Sequence, residues 1–208
     1  MAINTYATLQ TAVSNWLNRT DLTSRIPEFI SLAEARIARR LRVRGVVSRS
    51  TTTLVVGQQY YALPSDFLEA RNVQINSTET RVLSYRSPQQ MDYEYPSTSN
   101  GVPKVFTIIG DEMQLKPIPE AADTMEIAYY AKLAALTATN TTNWLTTNAP
   151  DLLLYGSLIE AESFLFNDGR IALWKTLFEE SISEWDKQER IARHSGSALE
   201  IRGDTGNP

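Results

Sequence analysis

Apolar positions recur at helical spacing at both ends of the chain and at alternate positions through its middle. Tyr6, Leu9, Val13, Trp16 and Leu17 form one stripe, which predicts a first helix opening after Asn4 or Thr5. Either side chain can accept the unpaired N–H groups of a first helical turn. Asn18 to Thr23 then reads as a polar turn. A second stripe, Ile26, Phe29, Ile30, Ala33, Ile37 and Leu41, predicts a second helix. Ser24 is its candidate cap, Pro27 suits its first turn, and Gly45 is its candidate terminator.

From about residue 50 the period changes to two. Thr51 to Val56 and Tyr60 to Leu63, joined by Gly57-Gln58-Gln59, predict a hairpin. Asn72 to Asn76 alternates, with Val73 and Ile75 on one face, and Arg81 to Tyr85 alternates again. Ser87-Pro88 opens a short helix, and Pro96 to Pro103 reads as a loop. Lys104 to Ile109 and Met113 to Lys116 flank the turn Gly110-Asp111 as a second hairpin. Thr124 to Ala131 is the last predicted strand, with Met125, Ile127 and Tyr129 on one side.

Helical spacing returns after a Thr- and Asn-rich stretch anchored by Trp144-Leu145. Asp151 stands where the dipole of a third helix favours an acid, ahead of Leu152, Tyr155, Leu158, Ile159 and Phe166. Asn167-Asp168-Gly169 breaks that helix, and a fourth carries Ile171, Trp174, Leu177, Phe178, Ile182 and Trp185. Helices, then strands, then helices imply an α+β fold. The expected organisation is a helical core from residues 1–49 and 148–195, with an antiparallel β-rich insertion over residues 50–135. A connecting loop over residues 136–147 and an extended tail over residues 196–208 complete it.

Composition narrows the chemistry. The chain has 208 residues, no Cys and one His, His194. Disulfides and thiol catalysis are excluded, and a multi-His metal site or His-based triad has almost no raw material. There is no glycine-rich nucleotide loop and no G-x-S-x-G. No cofactor is expected, and the chain does not read as an enzyme. No apolar run is long enough to cross a membrane, and the first residues lack the features of a signal peptide.

The net charge of −4 conceals a split. Residues 1–50 hold eight arginines and three acids, net +5, which leaves twelve basic and twenty-one acidic residues, net −9, for the rest. Such polarity favours association with an acidic partner or head-to-tail stacking. The fourteen positions from Arg36 to Arg49 contain no acid. Arg36, Arg39, Arg40, Arg42 and Arg44 are therefore candidate contacts to a neighbouring subunit or partner, with a solvated helix face or DNA phosphates as alternatives. A DNA-reading helix would carry Asn, Gln or Ser among its arginines, and from Arg36 to Arg44 this run does not. Glu179, Glu180, Glu184, Asp186 and Glu189 make the fourth helix acidic outside. Glu160, Glu162, Glu179 and Glu180 read as a solvated face rather than as a paired-carboxylate site, and a hydrolase built on Asp66 and Glu69 is the rival enzyme reading. In the tail, Leu199-Glu200-Ile201 has the alternation of a short strand that adds to a partner's sheet edge.

Five phrases stand in order along the chain. They are Ile3-Asn4-Thr5-Tyr6-Ala7-Thr8-Leu9-Gln10 with Trp16-Leu17-Asn18-Arg19, then Arg25-Ile26-Pro27-Glu28-Phe29-Ile30 with Ala33-Glu34-Ala35-Arg36-Ile37. Tyr61-Ala62-Leu63-Pro64-Ser65-Asp66-Phe67 follows, then Asn143-Trp144-Leu145 through Ala149-Pro150-Asp151-Leu152, then Leu154-Tyr155-Gly156. Together they resemble the phage adaptor proteins, the head-to-tail connectors of short-tailed phages, from Ile3 to about Gly196. The resemblance implies a structural virion protein in the neck between capsid and tail. It implies a dodecameric ring between the portal protein and the tail nozzle protein, through which double-stranded DNA passes. It further implies a C-terminal extension that docks on the portal, and no catalytic residues. It supplies no residue-level site. The interface candidates Arg36, Arg39, Arg40, Arg42, Arg44, Leu199, Ile201 and Arg202, and the channel-facing candidates Glu180 and Glu184, come from charge and pattern alone.

Overall fold

The computed structural model describes residues 2–165 and 168–194. The chain opens with α1 (Tyr6–Leu17) and α2 (Ile26–Arg40), then a single 3-10 turn at Arg44–Val46. The middle holds β1 (Val47–Thr53), β2 (Tyr60–Ala62), β3 (Phe67–Asn76), β4 (Thr80–Val82), β5 (Ser84–Tyr85), α3 (Pro88–Glu94) and β6 (Asn100–Gly101). It continues through β7 (Val105–Ile109), β8 (Glu112–Lys116), β9 (Ile118–Pro119) and β10 (Thr124–Ala131). The chain then returns to helix with α4 (Trp144–Asn148), α5 (Pro150–Leu165) and α6 (Asp168–His194). The fold is α+β, and it divides into a helical unit, Met1–Arg44 with Ala134–Pro208, and a β unit, Gly45–Leu133.

In the helical unit α1 begins where Thr5 caps it, in a reciprocal pair with Thr8. Leu9, Val13 and Leu17 of its stripe are buried, while Trp16 stays half open and packs on Trp174 and Tyr155. α2 departs from expectation at both ends. Arg25, not Ser24, occupies the cap position and offers no side-chain bond. The helix stops at Arg40 rather than at Gly45, because Leu41 is extended and Leu41 and Val43 bury alternate positions. Arg42 and Arg44 therefore lie beyond the helix. The stretch expected as a loop over residues 136–147 contains the start of α4, capped by Asn143, with Leu145 fully buried.

α5 packs against α1, α2, α4 and α6. From Leu152 to Glu162 it is buried or partly covered on every side, including Gly156, Ser157 and Glu162, and not along one stripe, while Ser163 and Phe164 near its end are exposed. Gly156 marks the crossing: a Cβ there would stand 3.0 Å from the Ala33 Cβ of α2 and 3.4 Å from Phe178 Cε2 of α6. Only a residue without a side chain lets both neighbours approach so closely. Aromatic pairs fasten the rest, Trp16 with Trp174 at 5.4 Å, Trp144 with Trp185 at 5.1 Å and Phe29 with Phe164 at 5.6 Å between ring centroids.

The β unit holds two four-stranded sheets, β1-β10-β3-β4 and β2-β8-β7-β5, with a small pair β6-β9. Val73, Ile75, Met125 and Ile127 of the first sheet and Tyr61, Met113 and Leu115 of the second share one core. Most pairs are antiparallel, but β5 with β7 and β6 with β9 run parallel. The hairpin predicted from Thr51 to Leu63 does not form. β1 pairs with β10 and β2 with β8, in different sheets. The turn at Gly57, φ +82°, is real, yet the Leu54 N–H bonds Asp123 O and the Gly57 N–H bonds Pro119 O, which sends the two arms to different partners. The run Arg81–Tyr85 likewise divides at Leu83, β4 joining one sheet and β5 the other. The second hairpin, β7 and β8 about Gly110, stands as expected. β3 starts at Phe67, earlier than its alternation shows, and its pairing with β10 shifts register twice.

Candidate functional site

The arginine run is largely engaged within its own chain. Arg36 on α2 forms an ion pair with Glu160 on α5, and both side chains are partly covered. Arg40 grips Glu179 of α6 with both nitrogens of its fork, at 2.5 and 2.7 Å. Those hydrogen bonds hold the Glu179 carboxyl below its ordinary value and raise the Arg40 guanidinium. Beyond the helix, the Arg44 backbone N–H donates to Glu189 Oε2 at 3.0 Å, with its Nε 3.7 Å from the same oxygen. Arg42 turns back and donates to the carbonyls of Ala38 at 2.8 Å and Leu41 at 3.1 Å, covering the open end of α2. Arg49 belongs to the β unit and pairs with Glu126 on the neighbouring strand at 3.1 Å. Arg39 is exposed and makes no hydrogen bond or ion pair among the described residues.

Glu180 and Glu184 lie one turn apart on the outer face of α6, both exposed and both without a hydrogen-bond or salt-bridge partner among the described residues. Leu199, Ile201 and Arg202 lie outside the described residues, as does the rest of the tail.

The remaining acids divide differently from the expectation of a solvated face. Glu160 meets Arg36, and Glu179 meets Arg40. Glu162 is fully buried, with Arg170 Nη2 2.9 Å from Oε1 as a contact of charge, since neither carboxylate oxygen has a partner in hydrogen-bond geometry. An acid that sequence reasoning passed over is Glu34. Its carboxylate accepts the Leu136 N–H at 3.1 and 3.3 Å and Asn143 Nδ2 at 2.9 Å. It ties the stretch before α4 onto α2. Burial pushes its carboxyl upward, and the two hydrogen bonds oppose that shift. Its sequence signals are its place beside Ala33 at the margin of the α2 stripe and inside the phrase Ala33-Glu34-Ala35-Arg36-Ile37.

Asp66 and Glu69 do not converge as a carboxylate pair. Asp66 Oδ1 accepts the Tyr129 hydroxyl at 2.8 Å, and burial, then this bond, raises the Tyr129 phenol. Two neighbouring hollows of about 480 and 490 Å³ share Phe67, Leu68 and Ile108, and hold one carboxylate each, Asp111 in the first and Glu69 in the second. Among the described residues no group of three or more His, Asp or Glu is placed to hold a metal ion. No helix among them is long and apolar enough to cross a membrane.

What the molecule offers is a set of charged helix faces and a β unit, which is the equipment of a structural part that joins others. A family model described as SU10 adaptor protein matches residues 4–201. The chain belongs to that family and is a phage adaptor protein. Its role is that of a structural adaptor which interacts with other head and tail components, and such families are typically not enzymes. None of the curated proteins matches the chain.

Proposed function

We propose that the protein assembles as a ring, dodecameric as in the family it resembles, between the portal and the tail nozzle in the virion neck. DNA crosses the ring through a central channel. The observation that carries this reading is the family match across residues 4–201, which spans the helical unit and the β unit together. The charge split supports it, because a body that is basic in its first fifty residues and acidic elsewhere suits stacked partners. The tail, residues 197–208, docks extended on the portal in this reading. The alternative of a DNA-binding helix loses ground, since Arg36, Arg40 and Arg44 are engaged by Glu160, Glu179 and Glu189.

The test is co-elution of the full chain with the portal protein of the same phage on a sizing column. Joint elution is expected, with loss of binding on truncation at Gly196. Separate elution contradicts the reading, and unchanged binding of the truncated chain removes the tail from it.

A further inference from the structure

α5 is enclosed by α2 on one side and α6 on another, and each flanking helix has an uncovered face. On α2 that face carries Leu32, Ala35 and Arg39, with Leu32 54% exposed. On α6 it carries Leu173, Glu180, Glu184 and, at its far end, Ile191, with Leu173 52% exposed. The two surfaces match in chemistry. Each has an apolar residue followed at seven positions by a charge, Leu32 to Arg39 and Leu173 to Glu180, so each pair is separated by about 10 Å along its helix. The charges are opposite. Glu180 and Glu184 also repel each other at i and i+4, and among the described residues neither has a salt bridge, so a further cation beside them is favourable. Lys187 shares the α6 face and follows the acidic pair, three positions beyond Glu184, so Leu173, Glu180 and Glu184 precede it along the helix. Within one copy α2 and α6 are joined through Arg40 and Glu179, while Arg39 pairs with neither Glu180 nor Glu184 among the described residues.

We infer that these faces are the contact between neighbouring copies of this chain, the outer face of α2 in one copy lying along the outer face of α6 in the next. Leu32 then covers Leu173, and Arg39 reaches the Glu180 and Glu184 carboxylates. The contact uses two different patches, so it is head-to-tail and closes into a ring when the rotation per subunit permits. It gives Glu180 and Glu184 an interface role in place of a channel-lining one. The inference rests on the ring-forming reading above and supplies the surface that forms the ring.

Charge exchange tests it, using the full chain at low ionic strength and high protein concentration in sedimentation velocity. Wild-type chain is expected to self-associate in a salt-sensitive way. Arg39→Glu, and separately Glu180→Lys with Glu184→Lys, are each expected to weaken association about tenfold or more. Mixing the two variants is expected to restore it, because each then meets only its opposite, and the restored assemblies alternate strictly. That rescue also shows that both variants are folded. The inference is overturned if wild type stays monomeric, if either variant associates as wild type does, or if the mixture stays as dissociated as its parts. Binding of wild-type chain to the portal is read separately. Its loss with charge exchange intact strikes at the adaptor reading alone, and its survival with charge exchange ineffective strikes at this contact alone.

Discussion

Gly156 on α5 lies so close to Ala33 on α2 that a Cβ at Gly156 would stand 3.0 Å from the Ala33 Cβ. Phe178 closes the other side at 3.4 Å, so the middle helix of the unit is held from two directions at one residue. Overpacking a rigid contact costs about 1–3 kcal/mol. Replacing a mid-helix glycine with alanine recovers about 1 kcal/mol of helix propensity. Gly156→Ala is therefore expected to lose about 1 kcal/mol net and to lower Tm by roughly 2–4 °C for a chain of this size. Gly156→Val, which is larger and β-branched, is expected to lose more. Thermal unfolding of both variants measures this, and a raised Tm for either contradicts the packing described.

Glu162 is fully buried and faces Arg170 as its cation. Removing the cation leaves an uncompensated charge, which typically costs about 3–5 kcal/mol. Arg170→Ala is expected to fall in or near that range. Adding Glu162→Gln to it is expected to recover a large part of the loss, because the buried charge is then gone as well. Urea unfolding of the two variants and wild type reads the difference. Equal stability of the single and double variants contradicts the account.

Glu34 gives a pH dependence with a definite sign. Burial, the larger influence, raises its carboxyl in the folded state above the unfolded value. Its contribution to stability is therefore fully present below the unfolded carboxylate range and is lost as pH rises through the raised value. Glu34→Gln keeps an oxygen for the Leu136 N–H and Asn143 Nδ2 without the charge. The variant is thus expected to equal or exceed wild type at neutral pH and to lose ground to it as the pH drops toward 4. Glu34→Ala leaves the Leu136 N–H unpaired and is expected to cost about 1–3 kcal/mol at any pH. Unfolding curves at neutral and acid pH decide both points.

The Arg40–Glu179 fork has short distances but both side chains are about half exposed, 42% and 57%. Water screens such pairs, and measured couplings are about 0.2–1 kcal/mol. A double-mutant cycle with Arg40→Ala and Glu179→Ala is expected to return a coupling within that range, smaller still in high salt. The hydrogen-bonded Glu179 carboxyl is depressed, so this contribution is present above the unfolded carboxylate range and fades as pH falls through the folded value. A coupling several times larger contradicts the exposure of the pair.

Periodicity alone gave much of the helical unit, because burial on a helix follows from spacing. Ile26, Phe29, Ile30, Ala33 and Ile37 are all buried where their stripe places them, and Leu41 is buried just past the end of the helix. Alternation did the same for Val73 with Ile75 and for Met125, Ile127 and Tyr129. Strand partners were not legible. A β-branched run beside a glycine turn looks like a hairpin, but β1 takes its partner more than seventy residues away, at β10, and nothing local encodes that choice. The arginines were visible and their partners were not, since Glu160, Glu179 and Glu189 stand 124, 139 and 145 positions from Arg36, Arg40 and Arg44. Glu162 was misread for a related reason. An acid beside apolar residues looks solvent-facing unless the helix is enclosed on all sides, and the enclosure of α5 comes from α1, α2, α4 and α6 together.

The central claim is that this adaptor closes as a ring on the portal. Electron microscopy of the full chain mixed with the portal protein of its phage tests it most directly. The account expects particles in which a ring of this chain caps one end of the portal and leaves an open central channel. Portal particles that stay bare at saturating chain, or that carry it as scattered single copies, would contradict the account.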